Sequence, residues 1–361
     1  MRSFFFACAL LAAAPRPPEI NFQPPRMLDN GANETAALAD INGDGKLDIV
    51  SGENWYEAPN WTRHHFRDLY YTNNYIDAFS DLPIDVDGDG NIDLVTASWF
   101  SKKLAWWRNP GKSGTWTETV IENISPIEFA FLVDLDNDGK ALEVLPQFGD
   151  SKAPMAWYQV KNGKFEKHVV AEHSDGHGIG AGDVNKDGKT DILTPKGWYE
   201  APDWKYHPDW DEKEALGFIF VLDVNDDGRP DIITSYAHNY GIFWFEATAD
   251  GKFVKHLIDD SWSQAHAVTL VDLNGDGRKD ILTGKRYMAH NGHDPGEREP
   301  LGLYWYENTR DGWVRHVIEY STRVGAGMQL PVADLNGDGR LDFVAPGKSG
   351  LYLFQGAAPG R

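Results

Sequence analysis

Short apolar runs and polar, aspartate-rich segments alternate along the chain, and the alternation repeats seven times. Typical stretches read LAD-INGDGKLD-IVSG, LVD-LNGDGRKD-ILTG and VAD-LNGDGRLD-FVAP. Apolar runs this short, bounded by Gly, Asn and Asp, predict strands joined by tight turns. Most units continue through an aromatic run: NWYEAP at 54–59, AWWRNP at 105–110, AWYQ at 156–159, GWYEAP at 197–202, FWFE at 243–246 and YWYEN at 304–308. A last run such as FVKHLI at 253–258 or WVRHVI at 313–318 follows. Four short strands per unit, repeated every 40 to 60 residues or so, predict the blades of a propeller. The expectation is an all-β, single-domain, seven-bladed β-propeller over residues 20–356. The seventh unit runs out after LYLF at 351–354, so the segment at 21–28 is expected to supply its fourth strand and cover both terminal edges.

The polar segments share one nine-residue phrase, Asp-x-Asp/Asn-x-Asp-Gly-x-x-acid. Oxygen ligands at positions 1, 3, 5 and 9, with glycine at 6 for the turn, describe a cage for a hard cation. The predicted ligands are Asp40, Asn42, Asp44 and Asp48 in the first loop, and Asp85, Asp87, Asp89 and Asp93 in the second. The third offers Asp134, Asp136 and Asp138, but Leu142 stands at position 9 and Glu143 one place later, so that site is expected to be bulged or weak. Then come Asp183, Asn185, Asp187 and Asp191; Asp223, Asn225, Asp227 and Asp231; Asp272, Asn274, Asp276 and Asp280; and Asp334, Asn336, Asp338 and Asp342. Position 12 is Ser51, Thr96, Leu145, Thr194, Thr234, Thr283 or Ala345, never the Glu of an EF-hand. Any one such loop is also explained as a polar hairpin turn, whereas seven in register are read as structural Ca²⁺ sites.

These loops change the meaning of the charge. The chain has 55 acids against 34 Lys+Arg, a net −21, yet setting aside the 22 loop aspartates leaves 33 acids facing 34 bases. The acidity is therefore a property of the loops, which repel themselves without cations, so stability is expected to depend on calcium. Residues 1–14, MRSFFFACALLAAA, read as a secretory signal, with Pro15 leaving the cleavage point open. The single cysteine, Cys8, lies within it, so no disulfide is expected in a secreted or periplasmic mature chain. No membrane span and no nucleic-acid partner are expected, and the chain is expected to act as a monomer.

The twelve histidines fall into two groups. His64, His168, His207, His256 and His316 each follow an aromatic residue by three places in the outer strand, and a residue repeated in five units serves the unit. The others are not repeated. Six residues before each first loop Asp, where the innermost strands begin, stand Glu34, Phe79, Glu128, His177, Gly217, His266 and Met328. Two Glu and two His at one depth are expected to converge at the channel mouth opposite the calcium turns; a merely polar, water-filled channel is the plainer reading. The stretches opening onto that face carry Lys102, Lys103, Lys152, Lys196, Lys285, Arg286 and Lys348, with Trp99, Tyr240 and Tyr287 among their aromatics. Cations gathered there suggest an anionic ligand, against the simpler view that they keep exposed loops soluble. The longest insertion, residues 285–300, adds His290, His293 and Asp294, and His238 belongs to the same set.

The loops, their register and the aromatic strands resemble the FG-GAP/VCBS repeat family, which includes the calcium-loop propellers of integrin α-chains. The layout is also similar to the propeller of aldos-2-ulose dehydratase and to propeller-type polysaccharide lyases. The expected function is to bind or act on carbohydrate at the face opposite the loops, by β-elimination or dehydration of an acidic or keto sugar. His177 and His266 are expected to serve as base or acid, with His238, His290 and Tyr287 as alternates. Lys102, Lys196, Lys285 and Arg286 are expected to clamp an anionic group, with Glu34, Glu128 and Trp99 also contacting the ligand. The alternative is a non-catalytic module binding glycan or protein. Convergence of His177, His266, Glu34 and Glu128 within about 8 Å separates the two, because binding alone needs no such titratable set.

Overall fold

The computed structural model describes residues 20–358; the expected leader at 1–14 lies outside them. Among the described residues there are strands and turns but no helix, and hence none long and apolar enough to cross a membrane. Five four-stranded antiparallel sheets stand as separate blades. The first is built from Ala37–Ala39, Asp48–Ser51, Asn54–Glu57 and Thr62–His65. The last combines Val332–Ala333, Asp342–Gly347 and Gly350–Phe354 with the N-terminal strand Arg26–Asp29, which pairs antiparallel with Gly350–Phe354. A two-residue ribbon, Asn21–Phe22 against Gly356–Ala357, ties the termini together beside it.

The expectation of seven separate blades is corrected here. The units of the fourth and fifth loops share one eight-stranded sheet, because their innermost strands, Ile179–Gly182 and Phe218–Leu222, pair parallel to each other. The cause is the sequence Ile-Gly-Ala-Gly. A Cβ on Gly180 would lie 1.9 Å from the Ile219 carbonyl oxygen, and one on Gly182 would lie 2.6 Å from Val221. Only glycine lets two backbones approach this closely.

Burial explains the sequence pattern. The second strand of each unit, such as Asp93–Ala97 or Asp280–Gly284, is buried along its whole length, which is why it reads as a continuous apolar run. Outer strands such as Lys164–Ala171 face solvent on one side and alternate. The core therefore lies between neighbouring sheets: Leu82, Val95 and Leu104 of one meet Val144, Phe148 and Ala156 of the next. Inside the ring, Leu38, Leu82, Leu132, Phe220, Leu270 and Val332 line a cavity of about 670 Å³. A polar channel was one expectation; this stretch is instead largely apolar, and the titratable groups gather beyond it, where the inner strands begin.

Candidate functional site

Two sets of polar groups could carry chemistry, the repeated loops and the unrepeated mouth of the channel. In the loops the position-1 carboxylate collects backbone N–H groups: Asp44 N donates to Asp40 Oδ1 at 3.0 Å and Gly45 N to Asp40 Oδ2 at 2.8 Å. The position-9 carboxylate has a role that spacing did not disclose. Asp48 accepts Ile41 N at 3.0 Å and Ala58 N at 2.8 Å, stapling the loop to the end of the third strand of its own blade. Asp93, Asp191, Asp231, Asp280 and Asp342 repeat this staple. In the third loop Glu143 takes over, accepting Leu135 N at 3.1 Å, so the extra residue bulges out and the acid returns to its place. Burial, reinforced by neighbouring loop carboxylates, pushes Asp191, Asp231 and Asp280 up to about 6.

Position 3 follows a complementary rule. Where it is Asn, in four of five loops it donates to a Glu of the aromatic strand: Asn42 to Glu57, Asn185 to Glu200, Asn225 to Glu246 and Asn274 to Glu307, whereas the strand facing Asn336 has no Glu. Where it is Asp, the partner becomes a donor: Gln159 to Asp136 and Arg108 to Asp87. The same glutamates hold the repeated histidines, each stacked on a tryptophan: His64 on Trp55, His207 on Trp198, His256 on Trp244 and His316 on Trp305. Loop oxygens meet closely enough to share an ion at Asp85, Asp87 and Asp93, and at Asp134, Asp136 and Glu143, all within 4.8 Å of one another.

At the channel mouth the unrepeated groups converge. His177 Nε2 lies 2.6 Å from Glu128 Oε2 and 3.0 Å from His238 Nε2. His266 Nε2 lies 3.8 Å from Glu128 Oε1. The acceptors fix the tautomers: His177 Nδ1–H donates to the Leu216 carbonyl at 2.7 Å, and His238 Nδ1–H to Asp294 Oδ2 at 2.8 Å. His290 stacks on His238 at 4.1 Å between ring centres, and its Nδ1–H donates to the other oxygen of Asp294 at 2.9 Å. Arg286 bridges the two glutamates, donating from Nη1 to Glu128 at 2.6 Å and from Nε to Glu34 at 3.1 Å. Lys348 lies 3.9 Å from Glu34 and 3.5 Å from the centre of the Tyr75 ring. Glu128 is buried, which alone would raise its carboxyl, but His177, Arg286 and His266 hold it well below the usual range. Burial, with the neighbouring Arg286 and His238, lowers His266, and burial with His177 brings His238 down to about 4.

The sequence-derived set is thus sorted. Glu34, Glu128, His177, His238, His266, His290 and Arg286 come together. His266 is wholly buried, so it does not meet a sugar directly. The anion-clamp expectation is corrected for two cations: Lys285 is buried and donates to Ser263 Oγ at 2.8 Å and Gly296 O at 2.7 Å, and Arg286 is neutralised by its glutamates. Lys196 pairs with Asp175 at 3.4 Å, Lys102 stands in a left-handed turn at φ 54°, and the Trp99 ring packs over Gly149; these three belong to their own turns. Tyr287 is 41% exposed at the rim. Sequence reasoning missed Tyr75 and the shared role of Asp294; the His-x-x-x-Asp spacing of the insertion was the available signal for the latter.

This geometry can be set beside known proteins. Residues 85–145 and 223–283 match the FG-GAP-like repeat, and no curated protein matches the chain in sequence. Among solved structures it resembles an Agrocybe aegerita lectin recognising non-reducing terminal N-acetylglucosamine, at 17% identity over 80% of each chain, TM-score 0.50. It also resembles the exotype rhamnogalacturonan lyase YesX, at 12% identity over 93% of this chain and 75% of that one, TM-score 0.53. BBS1N, solved in complex with ARL6DN, aligns at 10% identity over 93% and 96%, TM-score 0.59. At these identities the likeness is one of fold. The fold is a β-propeller. Two stretches of the chain thus match the FG-GAP-like repeat, and its fold is shared with these propeller-like structures.

Proposed function

We propose that this propeller binds and processes carbohydrate at the channel mouth, and that its chemistry is proton abstraction beside a carboxylate or ketone. One observation carries this reading. Asp294 orients two stacked imidazoles, and the outer one, His290, has a side chain 54% exposed with its Nε2 turned away from the carboxylate. An imidazole held in one tautomer by a carboxylate is a general base. In an elimination it takes the C–H proton, the electron pair forms the C=C bond, and the bond to the β-oxygen breaks. Tyr287, exposed and three residues before His290 in the same insertion, is the proposed acid for the leaving oxygen. His177 and His266, the first choices from sequence, lie deeper and act from behind. That a lectin and a polysaccharide lyase share the fold supports a sugar ligand. A screen of uronic-acid glycans and keto-sugars, read by ultraviolet absorbance of unsaturated products, tests it: His290→Ala should abolish the signal. Glycan binding without turnover by the native protein would instead establish the non-catalytic module, which the internal pairing of Arg286 and Lys285 favours.

The loops are read as structural calcium sites. In the second and third loops acidic oxygens converge on one point, and throughout the buried position-9 carboxylates are held in place by N–H donors, a donor set that suits a hard cation. Asp40, Asp44 and Asp48 and their counterparts would hold it, Glu143 serving in the third loop. Such loops suit a calcium-rich compartment, in keeping with a secreted or periplasmic chain.

A further inference from the structure

The ionic cluster beneath His290 is balanced: Arg286 and Lys348 answer Glu34 and Glu128. Three features remain unexplained by that balance. Two imidazole nitrogens, His177 Nε2 and His238 Nε2, face each other at 3.0 Å, although both rings already carry a proton on Nδ1. The same His177 nitrogen lies 2.6 Å from a carboxylate oxygen, another acceptor. His266 Nε2 is buried with no hydrogen-bond partner, in a residue with 0% exposure. An orphaned buried nitrogen is costly, and a single proton on His177 Nε2 cannot fully serve both acceptors that face it.

We propose that Glu128, His177, His238 and His266 form a binding site for a divalent cation of the zinc class. One cation at the centre gives the orphaned His266 Nε2 a partner and replaces the crowded contacts of His177 Nε2 with metal bonds. The four residues offer ligand atoms that all lie within 4.8 Å of one another. Metal–nitrogen bonds of about 2.0–2.1 Å in a tetrahedron set neighbouring donors roughly 3.3 Å apart; from His177 Nε2 the separations are 2.6 Å to Glu128 Oε2 and 3.0 Å to His238 Nε2, so the donors would spread by a few tenths of an ångström around an ion. Imidazole-rich donors select zinc and its transition-metal neighbours over calcium, so this site differs in kind from the all-oxygen loops.

The outer shell has the form such sites require. Ligating histidines donate their other N–H to a carbonyl or carboxylate, which fixes the ring. Leu216 O does this for His177 and Asp294 for His238, while Gln264 O lies 3.5 Å from His266 Nδ1. Arg286 holds the far oxygen of Glu128, leaving Oε2 for the centre. A zinc-class ion would add net positive charge directly beneath His290, where the anionic character of an elimination develops. The metal site nevertheless stands on these contacts alone, whatever the substrate.

The test uses the full chain, stripped with chelator and resaturated with calcium so that the loops are filled. Titration with Zn²⁺ should then show one tight equivalent that excess calcium does not displace. Co²⁺ in its place should give the visible absorption of a nitrogen-rich, low-coordinate ion. His238→Ala should weaken binding by more than the roughly 10–100-fold that loss of an orienting partner costs, and Asp294→Asn by about that amount, with a shifted but surviving cobalt spectrum. Absence of zinc uptake by the calcium-loaded native protein overturns the proposal, as does zinc that calcium displaces, or a folded His238→Ala that binds as tightly. Should that variant fail to fold, stoichiometry and cobalt spectrum of the native chain decide alone. Failure to find a sugar substrate leaves these readings unaffected.

Discussion

The outer-strand histidines and the channel histidines use the same side chain in opposite ways. His64, His207, His256 and His316 each lie flat on a tryptophan of their own blade, and a glutamate two residues beyond that tryptophan takes the ring N–H. Each is a local fastening, complete within one repeat. His177, His238, His266 and His290 come from the units of the fourth, fifth and sixth loops and depend on one another for partners. Repetition marks the groups that build the frame. Departure from repetition, in a ring whose units all point inward, marks the groups that meet at the axis.

The comparison can be broken in several ways. The largest effect should come from the frame: on the proposed calcium reading of the loops, chelator treatment should lower stability by several kcal/mol, of the order of 10 °C at roughly 2–4 °C per kcal/mol, measured by calorimetry with and without added calcium. An unchanged melting temperature would mean that the carboxylate staples hold the loops unaided. Next, Arg286→Ala should cost about 3–5 kcal/mol in urea unfolding, because Glu34 and Glu128 are left buried without their counter-charge.

Smaller effects sharpen the contrast. His316→Ala should cost about 1–2 kcal/mol through lost stacking on Trp305 and the lost bond to Glu307, yet leave sugar turnover unchanged. If turnover falls with it, the division between frame and site is wrong. Asp136→Asn and Gln159→Glu should each cost about 1 kcal/mol, while the double variant, which restores the pairing of the other blades, should recover most of the loss. The smallest change in stability, within about 0.5 kcal/mol, is expected for His290→Ala, although it should remove turnover.

How much of this was legible beforehand depended on whether the cause was local. The loop turns, the aromatic strands and the stacked outer histidines follow from patterns inside one repeat, and a closing strand from the segment at 21–28 was legible from the unfinished seventh unit, the structure placing it at Arg26–Asp29. Convergence of Glu128, His177 and His266 was legible from register, since residues equally far from each loop sit at one depth. The partners of Lys285 and Arg286 were not. A lysine or arginine in a polar insertion reads as exposed, and only the folded insertion shows Lys285 turned onto Ser263 and Gly296, and Arg286 onto two glutamates from distant units. The third loop shows the bulge that the shifted acid suggested, and Glu143 takes the position-9 role there. The shared eight-stranded sheet depended on Gly180 and Gly182 having a particular neighbour, which no composition discloses.

That shared sheet gives the ring a direction of weakness. Most neighbouring sheets are held by side-chain packing, but the fourth and fifth units are also laced through Ile179–Phe218, Gly180–Ile219 and Ala181–Phe220. Amide exchange at this seam should be slow and should rise in both units together, as in one cooperative body. Arg26–Asp29, an outer strand borrowed from the other end of the chain, is where the circle should first come undone.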